Sequence, residues 1–238
     1  MRCIVQQPAR VPADGGGVTG SAEPYEAAPA GGPAVRGVLH RPAGPAGDSV
    51  VLAHGAGGNS GAPLLVALAS ALAAAGLTVL RCDLPFRQAR PSGPPPPGVA
   101  PRDREGLRSA LLAVRQLVPG RAFLGGHSYG GRQASLLAAD DPELAAGLVL
   151  LAYPLHPPRR PEAPRTAHFP RLRVSSLFVH GVRDPFGSLA ELRLALALIP
   201  APTTLVAVAG AAHDLGGGRG AAADAVSRAV VAFLGRPA

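Results

Sequence analysis

The chain contains no lysine, so all 23 of its basic side chains are arginine. Glycine, proline and alanine are abundant, with 31 Gly and 27 Pro, and the formal net charge of +8 reflects a GC-rich codon bias as much as a basic surface. The arginines are scattered, apart from Arg159-Arg160, and aromatic residues make up only 4% of the chain. Single-stranded nucleic acids are held on aromatic stacking platforms, so this composition argues against a nucleic-acid partner. The two cysteines, Cys3 and Cys82, form no C-x-x-C motif and are too few for a disulfide scaffold. Cys82 ends an apolar run, which predicts a buried thiol. No His/Cys cluster has zinc-ligand spacing, so no metal is expected. No apolar run reaches the roughly 18 residues of a membrane span, and Met1 to Pro8 lack a signal-peptide apolar core. A soluble, cytoplasmic protein without a membrane partner is the expectation, with its oligomeric state left open.

At 238 residues the chain suffices for one large α/β domain. Residues 1–33 read as an N-terminal segment, either flexible or built of irregular early strands, and residues 34–238 read as the domain itself. From Ala34 onward, apolar runs alternate with helical patterns. Strands are predicted at 34–40, 49–53, 77–80, 121–125, 148–152, 176–179 and 203–208. Helices are predicted at 63–75, 103–118, 129–139, 188–199 and 220–234. The proline-rich stretch 86–101 reads as a surface loop or lid. This alternation implies a mostly parallel central sheet with helices on both faces. Sites in such sheets lie beyond the carboxyl ends of the strands.

Gly126-His127-Ser128-Tyr129-Gly130 has the G-x-S-x-G form. It follows the apolar run Ala122-Phe123-Leu124 and precedes a helical pattern, which is the setting of a nucleophile elbow. A serine hydroxyl needs a base, an acid and an oxyanion site to become a useful nucleophile. Three more strand ends supply candidates. Val51-Leu52-Ala53 runs into His54-Gly55-Ala56-Gly57-Gly58, where a small-residue loop lets backbone N–H groups approach a developing oxyanion. Ala56 and Tyr129 are the candidate donors. Leu177-Phe178-Val179 runs into His180-Gly181-Val182-Arg183-Asp184, with Asp184 the candidate acid. Leu205 to Val208 is followed by Ala212-His213, with His213 the candidate general base. The order Ser128, Asp184, His213 is that of the α/β-hydrolase triad. The blander alternatives are a helix N-cap for Ser128, a helix-capping aspartate for Asp184 and a phosphate-binding glycine loop at 54–58. The remaining histidines have structural readings: His54 and His180 in H-G turns, His127 beside the nucleophile, and His40 on the surface.

These motifs resemble the α/β-hydrolase superfamily over roughly Ala34 to Ala238. Gly126-x-Ser128-x-Gly130-Gly131-Arg132, Tyr153-Pro154-Leu155-His156-Pro157-Pro158, Arg165-x-x-His168 and Gly181-x-Arg183-Asp184-Pro185 together are similar to a dienelactone-hydrolase-like family. That family includes a testis-expressed protein and the hydrolase-like domain of a nuclear acetyltransferase-complex subunit. The dienelactone hydrolases proper use cysteine as nucleophile where this chain has Ser128.

The resulting expectation is a serine hydrolase that cleaves a carboxylic ester or related acyl bond of a small-molecule substrate through an acyl-enzyme, with no cofactor. A catalytically silent interaction protein of the same fold and a small prolyl-oligopeptidase-like peptidase are the rival readings. The proline-rich segment Tyr153 to His168 is expected to form a lid over the strand ends. Tyr153, His156, Arg165 and His168 are its candidate substrate contacts, and Arg165 is the candidate partner of an anionic group.

Overall fold

In the computed structural model the described residues are 20–235. Cys3 and most of the N-terminal lead lie outside that range. In chain order the elements are β1 (Ser21–Ala27), β2 (Val35–Arg41), β3 (Ser49–Ala53), α1 (Pro63–Ala74), β4 (Thr78–Cys82), α2 (Pro85–Ala89), α3 (Ala100–Arg115) and β5 (Ala122–His127). They continue with α4 (Tyr129–Asp140), β6 (Leu148–Leu151), β7 (Ser176–Gly181), α5 (Leu189–Leu196), β8 (Thr203–Val208) and α6 (Gly220–Leu234). The strands form one sheet in the order β1-β2-β4-β3-β5-β6-β7-β8. Pairing is antiparallel for β1–β2 and β2–β4 and parallel for the rest.

The apolar runs become strands buried on both faces because successive side chains alternate across the sheet. Val51, Leu124, Leu148, Leu150 and Phe178 point to one face, where α3, α4 and α5 bring Leu107, Leu111, Leu137 and Leu192. Val50, Leu52, Phe123, Val149, Leu151, Leu177 and Val179 point to the other, where α1 and α6 bring Leu65, Leu68, Val226, Val230 and Phe233. The chain leaves β3 for β4 on one side and reaches β5 on the other. The carboxyl ends of β3 and β5 therefore lie side by side at a topological switch point, with Ala53 opposite Gly126.

Cys82 is buried, as expected, and desolvation pushes its thiol up to about 12, which makes it a poor nucleophile.

Several expectations need correction. The N-terminal segment contributes a regular strand, β1, rather than irregular structure. The start of the proline-rich stretch is helical and buried: Phe86 and Arg87 in α2 pack inward. Helix α3 starts three residues early, at Ala100, because Pro101 is tolerated in its first turn. His40 is not on the surface. It is buried, and its Nε2 accepts a hydrogen bond from the buried Arg81 Nε at 2.9 Å.

The lid expectation also fails for the inner part of its segment. Tyr153 is 1% exposed. Its ring lies against Phe169 and Phe178, and its hydroxyl donates to the Arg165 carbonyl at 2.6 Å. Pro154, Leu155, His156 and His168 are buried as well, and the exposed residues of the segment are 158–162, Pro164 and Ala167. The aromatic cluster holds the inner part of this segment in the core, with Tyr153 engaged in packing and an internal hydrogen bond.

His168 carries a consequence for stability. Burial first, then Arg132 and Arg171, push its imidazole down to about 4. The unfolded chain, with an ordinary histidine near 6.5, binds the proton more readily between those values. Stability therefore falls as pH drops from about 6.5 towards 4, by ~3 kcal/mol at most from this residue. Urea midpoints at pH 7, 5.5 and 4.5 should decline in that order, and His168→Asn should flatten the decline. A midpoint independent of pH over this range would contradict the assignment.

Candidate active site

Four loops meet at the carboxyl ends of β3, β5, β7 and β8. The tight turn after β5 places Ser128 at φ 51°, ψ −112°, a left-handed conformation that non-glycine residues avoid. Its amide donates to Leu151 O at 2.8 Å, and its carbonyl accepts from Arg132 N at 2.9 Å, so sheet and helix together hold the strain. The flanking glycines are required by close approach. A Cβ on Gly126 would collide with the Ala53 carbonyl, and one on Gly130 would lie 2.6 Å from His54 O.

The structure brings Ser128, His213 and Asp184 together. His213 Nδ1 lies 2.8 Å from Asp184 Oδ2, and its Nε2 lies 2.8 Å from Ser128 Oγ. A carboxylate beside Nδ1 fixes the neutral tautomer: Nδ1–H donates to Asp184, and Nε2 is left to accept the serine proton. The Asp184 side chain is fully buried, and its Oδ1 accepts the Phe186 N–H at 2.8 Å. Phe186 lies against the His213 ring at a centroid distance of 4.2 Å. On its other side, His127 donates from Nε2 to the His213 carbonyl at 2.7 Å, tying the elbow to the histidine loop. Burial lowers the His127 pKa, which keeps this link neutral.

The loop 54–58 is fixed from below. His54 is fully buried; its Nδ1–H donates to Gly55 O at 2.8 Å, and its Nε2 accepts the Leu84 N–H at 3.2 Å. Tyr129 opens α4, so its N–H lies among the first-turn donors that have no partner inside a helix. Its hydroxyl donates to Asp103 Oδ2 at 2.7 Å, and Asp103 Oδ1 accepts the Phe86 N–H at 3.0 Å. Burial raises the Asp103 pKa, and these two donors oppose that shift.

Arg87 was hidden in the sequence by its proline-rich surroundings. Its buried guanidinium donates to the carbonyls of Gly58 (2.7 Å), Ala56 (3.0 Å), Gly93 (2.8 Å) and Arg90 (3.1 Å). It thereby clamps the loop that carries the candidate donor Ala56 and places a positive charge beside it. Arg87→Met should lower kcat about tenfold to a hundredfold, through misplacement of the oxyanion loop, with a smaller change in KM. Unchanged kcat in a folded Arg87→Met variant would remove this positioning role.

Of the candidate substrate contacts, His156 is buried, and its Nδ1–H donates to Pro157 O at 2.8 Å. Arg165 is partly exposed and lines a cavity with Arg132, His168 and Arg171. Among the described residues no helix is long and apolar enough to cross a membrane.

The family described as "Alpha/beta hydrolase domain" matches residues 46–229, most of the chain. Among solved structures, a dienelactone hydrolase from Anabaena variabilis is 21% identical, with a TM-score of 0.71 over 91% of this chain and 97% of that one. An alpha-beta serine hydrolase homologue from Coxiella burnetii is 20% identical, with a TM-score of 0.68 over 87% of this chain and 95% of that one. Est1E from Butyrivibrio proteoclasticus is 16% identical, with a TM-score of 0.71 over 89% of this chain and 97% of that one. At these identities the likeness concerns the fold.

Proposed function

We propose that this chain, which belongs to the alpha/beta hydrolase domain family, is a serine hydrolase that cleaves a carboxylic ester or related acyl bond of a small-molecule substrate in the cytoplasm. The observation that carries the reading is the pair of 2.8 Å contacts joining Ser128, His213 and Asp184 at the strained turn after β5. A strained backbone that presents a hydroxyl to an oriented imidazole is a cost of the kind that clusters at functional sites.

In the proposed reaction Ser128 Oγ attacks the acyl carbon as its proton moves to His213 Nε2. Asp184 stabilises the resulting imidazolium and remains ionised. The N–H groups of Ala56 and Tyr129 hold the oxyanion of the tetrahedral intermediate. His213 then passes the proton to the leaving alcohol, which departs and leaves the acyl-enzyme. A water deprotonated by His213 attacks that ester, the acid leaves, and the proton returns to Ser128. The steps use only groups of the chain and water.

A burst of p-nitrophenol from p-nitrophenyl esters, stoichiometric with protein and followed by slower turnover, is the expected result. Proteins that take up no acyl group from esters of varied chain length and charge would favour the rival interaction role. Preferential cleavage of peptides over esters would favour the peptidase reading.

A further inference from the structure

The helix that follows the elbow has one flank turned away from the sheet. Arg132 and Leu136, one helical turn apart, are partly exposed there, whereas Gln133, Ala134, Leu137 and Ala138 are buried. Facing them is the segment 164–171. Between the two lies a cavity of about 230 Å³ lined by Arg132, Arg165, Arg171, His168, Leu136 and Pro164, among others.

The charge in this cavity is one-sided. No Asp or Glu lines it. The ion pairs among the described residues include neither Arg132 nor Arg165. Arg171 alone has a carboxylate, Asp140 at 3.1 Å, and that pair is more than half exposed on both sides, where such pairs hold little energy. Nε of Arg132 is buried with no hydrogen-bond partner, which is an unfavourable state for a charged donor. Arg165 is held close enough to Arg132 for its pKa to be lowered, by burial first and by that neighbouring charge second. His168 is neutral at pH 7, so the positive charge comes from the arginines.

The walls are preorganised. Ser135 Oγ and His168 Nε2 are 2.9 Å apart, the Tyr153 hydroxyl donates to Arg165 O, and Arg165 N donates to Leu155 O at 2.7 Å. Arg165 Nη1 makes one long bond to the Pro154 carbonyl, at 3.4 Å. Guanidinium groups without a carboxylate partner, fixed around a small cavity, suit the planar fork of a carboxylate or the oxygens of a phosphate.

We propose that the cavity between α4 and the 164–171 segment is an oxyanion-binding site, with Arg132 and Arg165 as principal donors and Arg171 as the outer one. It takes a carboxylate or phosphate group. Arg132 lies one turn from Ser128, and helical side chains lean back towards the N-terminus, so the site borders the catalytic rim. An anion held there is either a remote group of the substrate or a separate ligand.

Isothermal titration with inorganic phosphate at low ionic strength tests the site. Saturable one-to-one binding is expected, weakened about tenfold or more in Arg132→Gln and in Arg165→Gln. Arg160→Gln removes an equal charge from the exposed Arg160–Glu162 pair outside the cavity and should leave binding unchanged. Melting temperatures identify any variant that fails to fold, and Arg165→Gln, at a partly exposed position, guards against loss of Arg132→Gln. Absence of saturable binding, or equal weakening by Arg160→Gln, would overturn the proposal. The same titration on Ser128→Ala needs no hydrolysis, so its outcome is separable from the catalytic reading. Rates on p-nitrophenyl acetate and on mono-p-nitrophenyl succinate then distinguish the sources. Phosphate inhibition and a raised KM in Arg165→Gln confined to the succinate ester assign the anion to the substrate. Phosphate binding that leaves both esters unaffected assigns it to a separate ligand.

Discussion

Ser128→Ala is expected to lower kcat on an activated ester by about a million-fold, leaving at most the residual rate from an oxyanion site and substrate binding. The size of the effect follows from the geometry. His213 Nε2 has Ser128 Oγ at 2.8 Å, and without that oxygen the imidazole has no nucleophile of the chain to activate. The alanine should fold as well as the serine, because the turn is held by backbone bonds from Ser128 N to Leu151 O and from Arg132 N to Ser128 O, which alanine retains. A His213→Ala variant should fall to a similar rate, and the double variant should be little worse than either single one, since the two residues act as a unit. Full additivity of the two losses would mean that the residues act independently and would count against the proposed reaction. The measurement is steady-state kinetics on the three variants with one ester.

Asp184→Asn should cost about ten-thousand-fold in kcat while disturbing the fold little. The asparagine is nearly isosteric, and its carbonyl oxygen can keep the Phe186 N–H bond that Asp184 Oδ1 now accepts. The other arm then carries an amide NH₂, which donates. Facing that donor, His213 is favoured with Nδ1 as acceptor and Nε2 protonated, the wrong tautomer to take the serine proton. The negative charge that stabilises the imidazolium is lost as well. Because Asp184 lies wholly inside the fold, solvent cannot replace it. A variant that retains more than a tenth of the wild-type kcat would show that another group orients His213. His180, whose Nδ1 lies 3.9 Å from Asp184 Oδ2, would be the first neighbour to examine.

The placement of Ser128, Asp184 and His213 at strand ends was legible because parallel strands buried on both faces must be written as short apolar runs. Those runs end abruptly, at a polar residue in Ala53-His54 and at a Gly/Ala turn in Val208-Ala209-Gly210. The glycines around Ser128 were legible for a related reason: the packing of the elbow on β3 admits no side chain at positions 126 and 130. The clamp by Arg87 left no such mark. Its partners are carbonyl oxygens, which every residue has, so no residue type in the sequence points to it. The surface reading of His40 fails for the opposite reason, since a residue that is often exposed here meets the polar demand of Arg81 inside the sheet. The 153–168 segment reads as a lid because it directly follows a strand and lies between the elbow and Asp184. Its fate is decided by Tyr153 packing on Phe169 and Phe178, partners that only the fold brings within reach. The unpaired charges of Arg132 and Arg165 likewise emerge from the approach of α4 to that segment.

Reaction with a fluorophosphonate probe, followed by mass mapping of the adduct, tests the central claim most directly, because the probe needs an activated serine and no knowledge of the natural substrate. The wild type should take up one probe per chain on the peptide containing Ser128, and Ser128→Ala should take up none. Labelling that persists in Ser128→Ala, or a wild type that stays unlabelled, would contradict the assignment of Ser128 as the nucleophile.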